Sequence, residues 1–280
     1  MRVLVTGGSG YLGIHVRRFF DADDFSRRAQ LDVLSPMDVE RVGDYDVVIH
    51  LAAHLDKDSS AAELSFRTNA EGTANIISNM RPHSVLIYAS TKDVYGAHAA
   101  GYDQVPETCP TNYCGQTALE WSKLIGERYV EYYARLREIR ACIFRLSTVY
   151  ARPSEGNESG FVTHYVESVK RRVPIAVPLG GHVVRDILHV DDFSRACKAF
   201  MDSSRSTGLY NLGGGNANAV SLREIIDTVG RLISIEPIIE SDETLPHPVP
   251  VNYISDLTRI GEQLGWQPEV SIEEGLKSLL

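Results

Sequence analysis

Three glycines near the start of the chain have the spacing of a phosphate-binding turn. Gly7, Gly10 and Gly13 follow the apolar run Val3–Val5 and open a stretch with apolar residues at helical spacing. In a strand–turn–helix unit, such glycines let the backbone approach a pyrophosphate, which free N–H groups and the helix dipole then hold. The spacing therefore predicts dinucleotide binding. The alternative is a glycine-rich turn that only packs the helix on the strand.

The elements that must position this turn alternate between strands and helices. Continuous apolar runs at Val47–Leu51, Val85–Tyr88 and Ala141–Leu146 indicate buried strands. Helical patterns over about 68–80 and 116–136 lie between them. Alternating strands and helices form βαβ units, so the sequence predicts an α/β fold with a doubly wound parallel sheet of the Rossmann type.

Beyond about residue 150 the pattern changes, which predicts a smaller C-terminal cap that binds substrate. A polar stretch with glycine and serine follows the last of these strands, and Gly213–Asn216 marks a second break. We expect residues 1–150 to form the dinucleotide-binding domain, with about 184–215 returning to it. Residues from about 151–183 and 216–280 would form the cap.

Composition argues against several classes of function. The chain has 280 residues, with 28 Lys and Arg against 37 Asp and Glu, so its net charge of −9 disfavours nucleic acid and anionic membranes as partners. Its four cysteines form no C-x-x-C pair and have no zinc-ligand spacing, so we expect free thiols and no metal site. The sequence contains no apolar run of membrane-spanning length and no signal-peptide pattern. We therefore expect a cytoplasmic protein.

Several further motifs occur in a characteristic order along almost the whole chain. They are His50–Ala53, Asn69–Asn75, Ala89–Gly96, Ser122–Glu127, Arg185–Asp192 and Tyr210–Gly215. In this order they resemble the extended short-chain dehydrogenase/reductase superfamily, specifically its NAD-dependent nucleotide-sugar epimerases and dehydratases. The pattern is most similar to CDP-paratose 2-epimerases and to enzymes like UDP-glucose 4-epimerase. The resemblance implies bound NAD, a nucleotide-sugar substrate, and a homodimer formed by the helices over 68–80 and 116–136.

The resemblance also implies which residues bind the cofactor. Besides the three glycines, they are Tyr11, Leu12, Asp32, Val33, Leu51, Ala52, Ala53, Asn69, Ser90 and Lys123. The second strand is short or missing, so we expect Asp32 to contact adenine rather than ribose; the alternative is an aspartate that caps a helix. Arg27 or Arg28 could meet a 2′-phosphate, which would imply NADP, but we favour NAD.

The catalytic residues of the family are only partly present. Its members use a Ser or Thr hydroxyl, a Tyr and a Lys on a hydroxyl beside the nicotinamide. Thr91 and Lys123 match two of these groups. The Tyr belongs four residues before the Lys on the same helix face, but that position holds Leu119, which exchanges no proton. Tyr113 is the first candidate substitute base and Asp93 the second; the alternatives are a surface tyrosine and a solvated carboxylate.

The substrate side of the pattern is recognisable but altered. Arg185 matches the arginine that holds the substrate diphosphate, and its fork of donors suits two phosphates. The alternative is an ion pair with a nearby aspartate. Val177 lies on the strand expected to contact the nucleotide base, and Thr148 replaces the usual Asn. His247 falls near the usual second arginine, and we expect His54 to face the cleft.

These residues support two functions. The first is an enzyme that removes a hydride from a nucleotide-linked sugar and returns it after epimerisation or elimination, using an atypical general base. The second is a redox-inactive family member that binds dinucleotide or nucleotide-sugar as a binding or regulatory subunit. Leu119 is the residue that separates them.

Overall fold

The computed structural model describes residues 1–154, 160–242 and 250–280. The strands in these ranges are β1 Val3–Thr6, β2 Asp23–Phe25, β3 Val47–His50, β4 Val85–Thr91, β5 Arg140–Leu146, β6 Thr148–Tyr150, β7 Ile175–Pro178, β8 Val184–His189, β9 Thr207–Leu212, β10 Ala219–Ser221 and β11 Ile239–Asp242. Six of them form a parallel sheet in the order β2-β1-β3-β4-β5-β9. The parallel sheet confirms the α/β fold class expected from the sequence.

Helices alternate with many of these strands along the chain. They are α1 Gly13–Phe20, α2 Pro36–Val39, α3 Ala62–Ser65, α4 Gly72–Asn79, α5 Ala118–Leu136, α6 Phe161–Arg171, α7 Val190–Asp202, α8 Leu222–Ile233, α9 Thr258–Leu264 and α10 Ile272–Ser278. A π-helical stretch, Phe66–Glu71, precedes α4, so the helix predicted over 68–80 begins irregularly. In the described part of the chain, no helix is long and apolar enough to cross a membrane.

Both faces of the main sheet are covered by helices, as a doubly wound fold requires. On one face Val16 of α1 and Phe193 of α7 pack against the strands. On the other face the sheet packs against Val39 of α2, Ile76 of α4 and Val130 of α5. Strands that are buried on both faces read as continuous apolar runs, which is why β3, β4 and β5 were predictable.

The cap has its own small sheets and core. β10, β8 and β6 form one sheet and β7 pairs with β11, while Val166, Ile187 and Ile225 belong to a separate apolar cluster. β9 returns to the main sheet after β8 has paired in the cap. The domain boundaries expected from the sequence stay a prediction. His247 lies outside the described residues.

A buried ion pair joins α5 to the sheet one turn beyond Lys123. Glu127 of α5 is fully buried, and Arg145 of β5 is 2 % exposed. Arg145 Nη2 donates to Glu127 Oε2 at 2.7 Å, and its Nε donates to Oε1 at 2.9 Å. Ser90 Oγ of β4 donates to the same Oε1. The carboxylate therefore fixes the rotation of α5 against two neighbouring strands.

The substitution Arg145→Met tests this link. It leaves the Glu127 carboxylate buried without its charged partner, so we expect the free energy of unfolding to fall by about 3–5 kcal/mol in urea titrations. Arg128→Met is the matched control, because Arg128 pairs with Glu131 on the exposed face of the same helix. That change should cost less than about 1 kcal/mol. Equal effects of the two variants would contradict the assigned role.

Candidate cofactor and substrate site

The glycines of the turn differ in how strongly packing requires them. Gly7 has φ +68°, and a Cβ there would lie 2.9 Å from the backbone nitrogen of Ala52, so glycine is required whether or not a ligand binds. A Cβ on Gly10 would meet one described atom within 4 Å beyond its chain neighbours, the Gly7 carbonyl oxygen at 3.0 Å. That contact is tight, but no other such atom lies within 4 Å, which leaves room for the approach of a pyrophosphate.

Asp24, the middle residue of β2, is a polar group beside this turn that the sequence analysis missed. Its Oδ2 accepts a hydrogen bond from Ser9 Oγ and another, at 3.1 Å, from Ser26 Oγ. Its Oδ1 is buried and has no hydrogen-bond donor among the described residues. A buried carboxylate oxygen without a donor suits the hydroxyls of a ribose, so the turn fits a dinucleotide. The sequence feature that could have indicated Asp24 is the pair Asp23-Asp24. A strand of three residues, however, is too short to show a recognisable strand pattern.

The predicted cofactor contacts Asp32 and Val33 lie in the segment 31–34, which follows the glycine turn and β2. Asp32 Oδ1 accepts the N–H of Leu34 at 2.9 Å, whereas Ser35 is the residue whose side chain caps α2. Asp32 therefore closes a local turn and is not the helix cap. Val33 is buried, and its carbonyl oxygen accepts from Asn75 Nδ2. Contacts of Asp32 and Val33 with adenine stay a prediction.

The turn is also bonded to the neighbouring strand and to the cap. The Thr6 side chain accepts the N–H of Ala52 at 3.1 Å, which sets Leu51, Ala52 and Ala53 beside the turn. The Tyr11 hydroxyl donates to the Ala151 carbonyl oxygen at 2.8 Å. Tyr11 thus ties the glycine turn to the start of the cap.

Lys123 is held beneath the end of β4. It is 4 % exposed, and its Nζ donates to the Ala89 carbonyl oxygen at 2.7 Å and lies 5.1 Å from the centre of the Tyr88 ring. Burial lowers the pKa of its ammonium group to about 8 although the Glu127 carboxylate opposes the shift. Leu119 lies one turn earlier and is 6 % exposed.

Asn69 and Ser122 lock the same region. Asn69 Nδ2 donates to Ser122 Oγ at 2.9 Å, and its Oδ1 accepts the N–H of His54 at 2.8 Å. Ser90, one residue beyond Ala89, donates its hydroxyl to Glu127. Asn69 and Ser90, two of the predicted cofactor contacts, therefore use their side chains to hold the framework around Lys123.

A cavity of about 400 Å³ opens between the end of β4 and the cap. Polar residues from both halves of the chain line it, namely Lys57, Thr91, Lys92, Asp93, Ser147, Thr148, Tyr165 and Arg185. Thr91, Asp93, Thr148 and Arg185 were predicted as site residues from the sequence. The structure therefore brings catalytic and substrate-binding candidates into one cavity.

The charges beside Thr91 neutralise one another. Lys57 Nζ lies 2.9 Å from Asp93 Oδ2 and 3.0 Å from Oε1 of the buried Glu120. Lys92 Nζ bonds the other oxygen of Asp93. Burial alone would raise the pKa of the Asp93 carboxyl, but the two ammonium groups outweigh it and hold the pKa well below its usual range. Asp93 is therefore a firmly ionised carboxylate rather than a solvated one.

Arg185 enters the cavity from β8. Its Nη1 donates to the carbonyl oxygens of Val184 and Val251, both at 2.7 Å. The nearby aspartates are bonded elsewhere, Asp186 to Ser147 and Asp192 to Arg195, so neither takes up Arg185 as the alternative interpretation supposed.

Other predicted residues lie away from the cavity lining. Tyr113 is 69 % exposed and outside the lining residues. Val177 is fully buried in the cap core, and the next residue, Pro178, lines the cavity instead. His54 is half-buried and bonds Asn69 through its backbone. Lys57 and Lys92 line the cavity but were not predicted as site residues. Lys57 could not be found from the sequence because it meets Asp93 only through folding.

Comparison with known proteins identifies the class. Residues 3–213 match the model of the NAD dependent epimerase/dehydratase family, so the chain belongs to that family. It is 25% identical over 338 residues to a CDP-paratose 2-epimerase of Salmonella typhi, covering 100% of this chain and 98% of the relative. It is 28% identical over 312 residues to a dTDP-glucose 4,6-dehydratase of Mycobacterium tuberculosis, covering 100% and 92%.

Solved structures agree on the fold. The UDP-glucose 4-epimerase of Thermotoga maritima with UDP-glucose superposes with a TM-score of 0.85 at 24% identity, covering 100% of this chain and 97% of that one. The Thermus thermophilus UDP-glucose 4-epimerase complex with NAD gives 0.82 at 22% identity, covering 100% and 99%. The fold of this chain is therefore that of nucleotide-sugar epimerases.

Gly10→Val tests the cofactor turn. The added Cβ would press on the Gly7 carbonyl oxygen at 3.0 Å, and the side chain would fill the space where a pyrophosphate would approach, while no core side chain lies within 4 Å of that Cβ. We therefore expect a folded protein whose Kd for NAD, measured by calorimetry, rises at least about 100-fold, or about 2.8 kcal/mol. Gly101→Val is the control, since a Cβ there meets nothing within 4 Å. A folded Gly10→Val protein with unchanged affinity would place the dinucleotide elsewhere.

Proposed function

We propose that this chain is an NAD-dependent nucleotide-sugar epimerase or dehydratase that acts by transient hydride abstraction. The observation that carries the proposal is one cavity lined by Thr91 from the main sheet and Arg185 from the cap, with Lys123 buried behind β4. A hydroxyl to orient a sugar oxygen and a guanidinium for phosphates meet where the two halves of the chain face each other.

The cofactor follows from the turn and from Asp24. NAD supplies the hydride acceptor when bound, and the glycine turn, Asp24 and Lys123 would hold it. The Asp24 carboxylate in β2, which pairs with Arg17 at 3.4 Å, presents negative charge and acceptor oxygens rather than donors, which favours NAD over NADP. Arg28, whose Nη1 donates to the Ser9 carbonyl oxygen at 3.0 Å, is the residue that would favour NADP instead.

A second candidate is the redox-inactive binding protein, and Leu119 favours it. Neither candidate substitute base is well placed to accept a proton. Tyr113 is exposed and lies outside the cavity lining, and Asp93 forms ion pairs with two lysines. Under this alternative, the cleft would bind dinucleotide and nucleotide-sugar without exchanging a proton. The two candidates differ in whether bound nicotinamide is ever reduced.

Absorbance of bound nicotinamide separates the candidates. We expect the NAD-loaded protein to show transient reduction with at least one sugar of a panel of UDP-, dTDP- and CDP-linked hexoses. If the unaltered protein gives no reduction, Leu119→Tyr tests whether only the base is missing, because a general base contributes about 10²–10⁴-fold. Calorimetry on the same panel is the control. A protein that binds a nucleotide-sugar tightly but gives neither reduction nor product, even with Leu119→Tyr, is the binding protein.

We also propose that the chain forms a homodimer through α4 and α5. Trp121, Leu124, Ile125 and Tyr133 are partly exposed on α5, and Tyr132 is 62 % exposed. Apolar and aromatic side chains that are exposed together on one helix are the kind of surface that a symmetric contact between two copies would cover.

Sedimentation tests the dimer. We expect a mass near twice the 31.0 kDa of one chain at micromolar concentration. Tyr132→Asp should shift the mass toward one chain, because it places a charge in the apolar contact, whereas Tyr102→Asp, at an exposed tyrosine outside these helices, should not. A single-chain mass for the unaltered protein would refute the dimer.

A further inference from the structure

The cavity must supply a proton acceptor if the proposed function holds, because Leu119 supplies none. The described lining residues that could exchange a proton or carry charge are Lys57, Lys92, Asp93, Tyr165 and Arg185. Each can be judged by its partners and burial.

Four of these five groups keep one protonation state near neutral pH. Arg185 stays protonated as a guanidinium. Burial raises the pKa of the Tyr165 phenol further above 10. Asp93 is an ionised carboxylate of low pKa and hence a weak base. Lys57 is partly buried, yet Asp93 and Glu120 outweigh that burial and raise its pKa.

Lys92 differs in its surroundings. It directly follows Thr91, is 9 % exposed, and its Nζ lies 4.9 Å from the centre of the Tyr253 ring. Burial and the charges of Arg185 and Lys57 lower the pKa of its ammonium, against the opposing pull of Asp93. Lys92 bonds one carboxylate, Asp93, whereas Lys57 bonds two, Asp93 and Glu120, so Lys92 is the lysine less strongly held in its charged form. A buried amine near other cations is an environment in which lysine can serve as a base.

We propose that the Lys92 amine accepts the proton of the substrate hydroxyl, in the role that a phenol at position 119 would otherwise fill. This proposal rests on the proposed function. The O–H bond breaks and an N–H bond forms on Lys92 Nζ, while the C–H electron pair leaves as hydride to NAD⁺ and the alcohol becomes a carbonyl. The return of hydride and proton reverses these changes.

The neighbouring charges then have defined tasks. Asp93 stabilises the ammonium that forms on Lys92, as a carboxylate stabilises an imidazolium in a catalytic triad. Lys57, anchored by Glu120, keeps Asp93 ionised and in place. Asp93 is thus a positioning residue.

Lys92→Arg is the central variant. It keeps a cation beside Asp93 but cannot lose its proton. We expect reduction of bound NAD to slow by at least about 10²-fold, the lower bound for a general base, while calorimetric affinities for NAD and UDP stay within about threefold. Lys92→Gln should slow it similarly, and adding Leu119→Tyr to Lys92→Gln should restore turnover. Lys198→Arg, at an exposed lysine paired with Asp202, is the matched control.

The pH profile separates Lys92 from Asp93. Neutral Lys92 is needed, so the rate should rise with pH through the pKa of its ammonium. Asp93→Asn removes the charge that raises this pKa, so the rising limb should move to lower pH. If Asp93 itself were the base, Asp93→Asn would abolish reduction at every pH.

The remaining outcomes are also decisive. A Lys92→Arg protein that reduces NAD at the unaltered rate overturns the assignment of Lys92 and leaves the proposed function intact. Loss of reduction in Tyr113→Phe with normal Lys92→Arg would make Tyr113 the base. A protein that binds the sugars and never reduces NAD refutes the proposed function and the role of Lys92 with it.

Discussion

The Glu127–Arg145 ion pair is the constraint on which the geometry of the site depends. Helix α5 carries Leu119, Lys123 and Glu127 at intervals of four residues, so all three share one face. Once Glu127 is bonded to β5 and to Ser90 of β4, the rotation of that face is set. Lys123 then lies under the end of β4, and Leu119 is buried one turn earlier on the same face of α5. A buried pair that links two strands and a helix specifies this register, whereas apolar packing alone would tolerate small rotations.

The sequence was sufficient for those features whose signal is local. Buried parallel strands read as apolar runs, and the glycine turn and the Ser122–Glu127 segment are short motifs, so sheet, turn and Lys123 were predictable. β2 was not, because three residues with Asp23 and Asp24 show no strand periodicity, and Asp24 was missed with it. Strand pairing with β1 overrides the weak local preference.

Contacts between distant residues were beyond reach for a different reason. Lys57 lies in a loop without periodicity, 36 residues from Asp93. Its position depends on where the chain runs after β3, which only the folded sheet determines. Without Lys57 and Lys92, Asp93 looks like an available base; with both, it is a bound carboxylate. The role that can be assigned to Asp93 therefore depends on which side chains contact it. For Tyr113, its exposure alone weakens the case that it is the base.

The burial of Lys123 has a cost that bears separately on its proposed contact with the cofactor. Its pKa falls from 10.5 to about 8, which means that burying the ammonium costs about 3 kcal/mol below pH 8, at 1.36 kcal/mol per unit. This penalty disappears only as the pH rises from 8 toward 10.5, because in that range the folded chain has released the Lys123 proton while the unfolded chain still holds it. Among the described residues no carboxylate bonds Nζ, and Leu119 adds no polar group to offset the cost. Nζ donates one hydrogen bond, to the Ala89 carbonyl oxygen, and faces the Tyr88 ring, so hydroxyl or carbonyl oxygens of the proposed cofactor that accept its remaining hydrogen bonds would offset the cost.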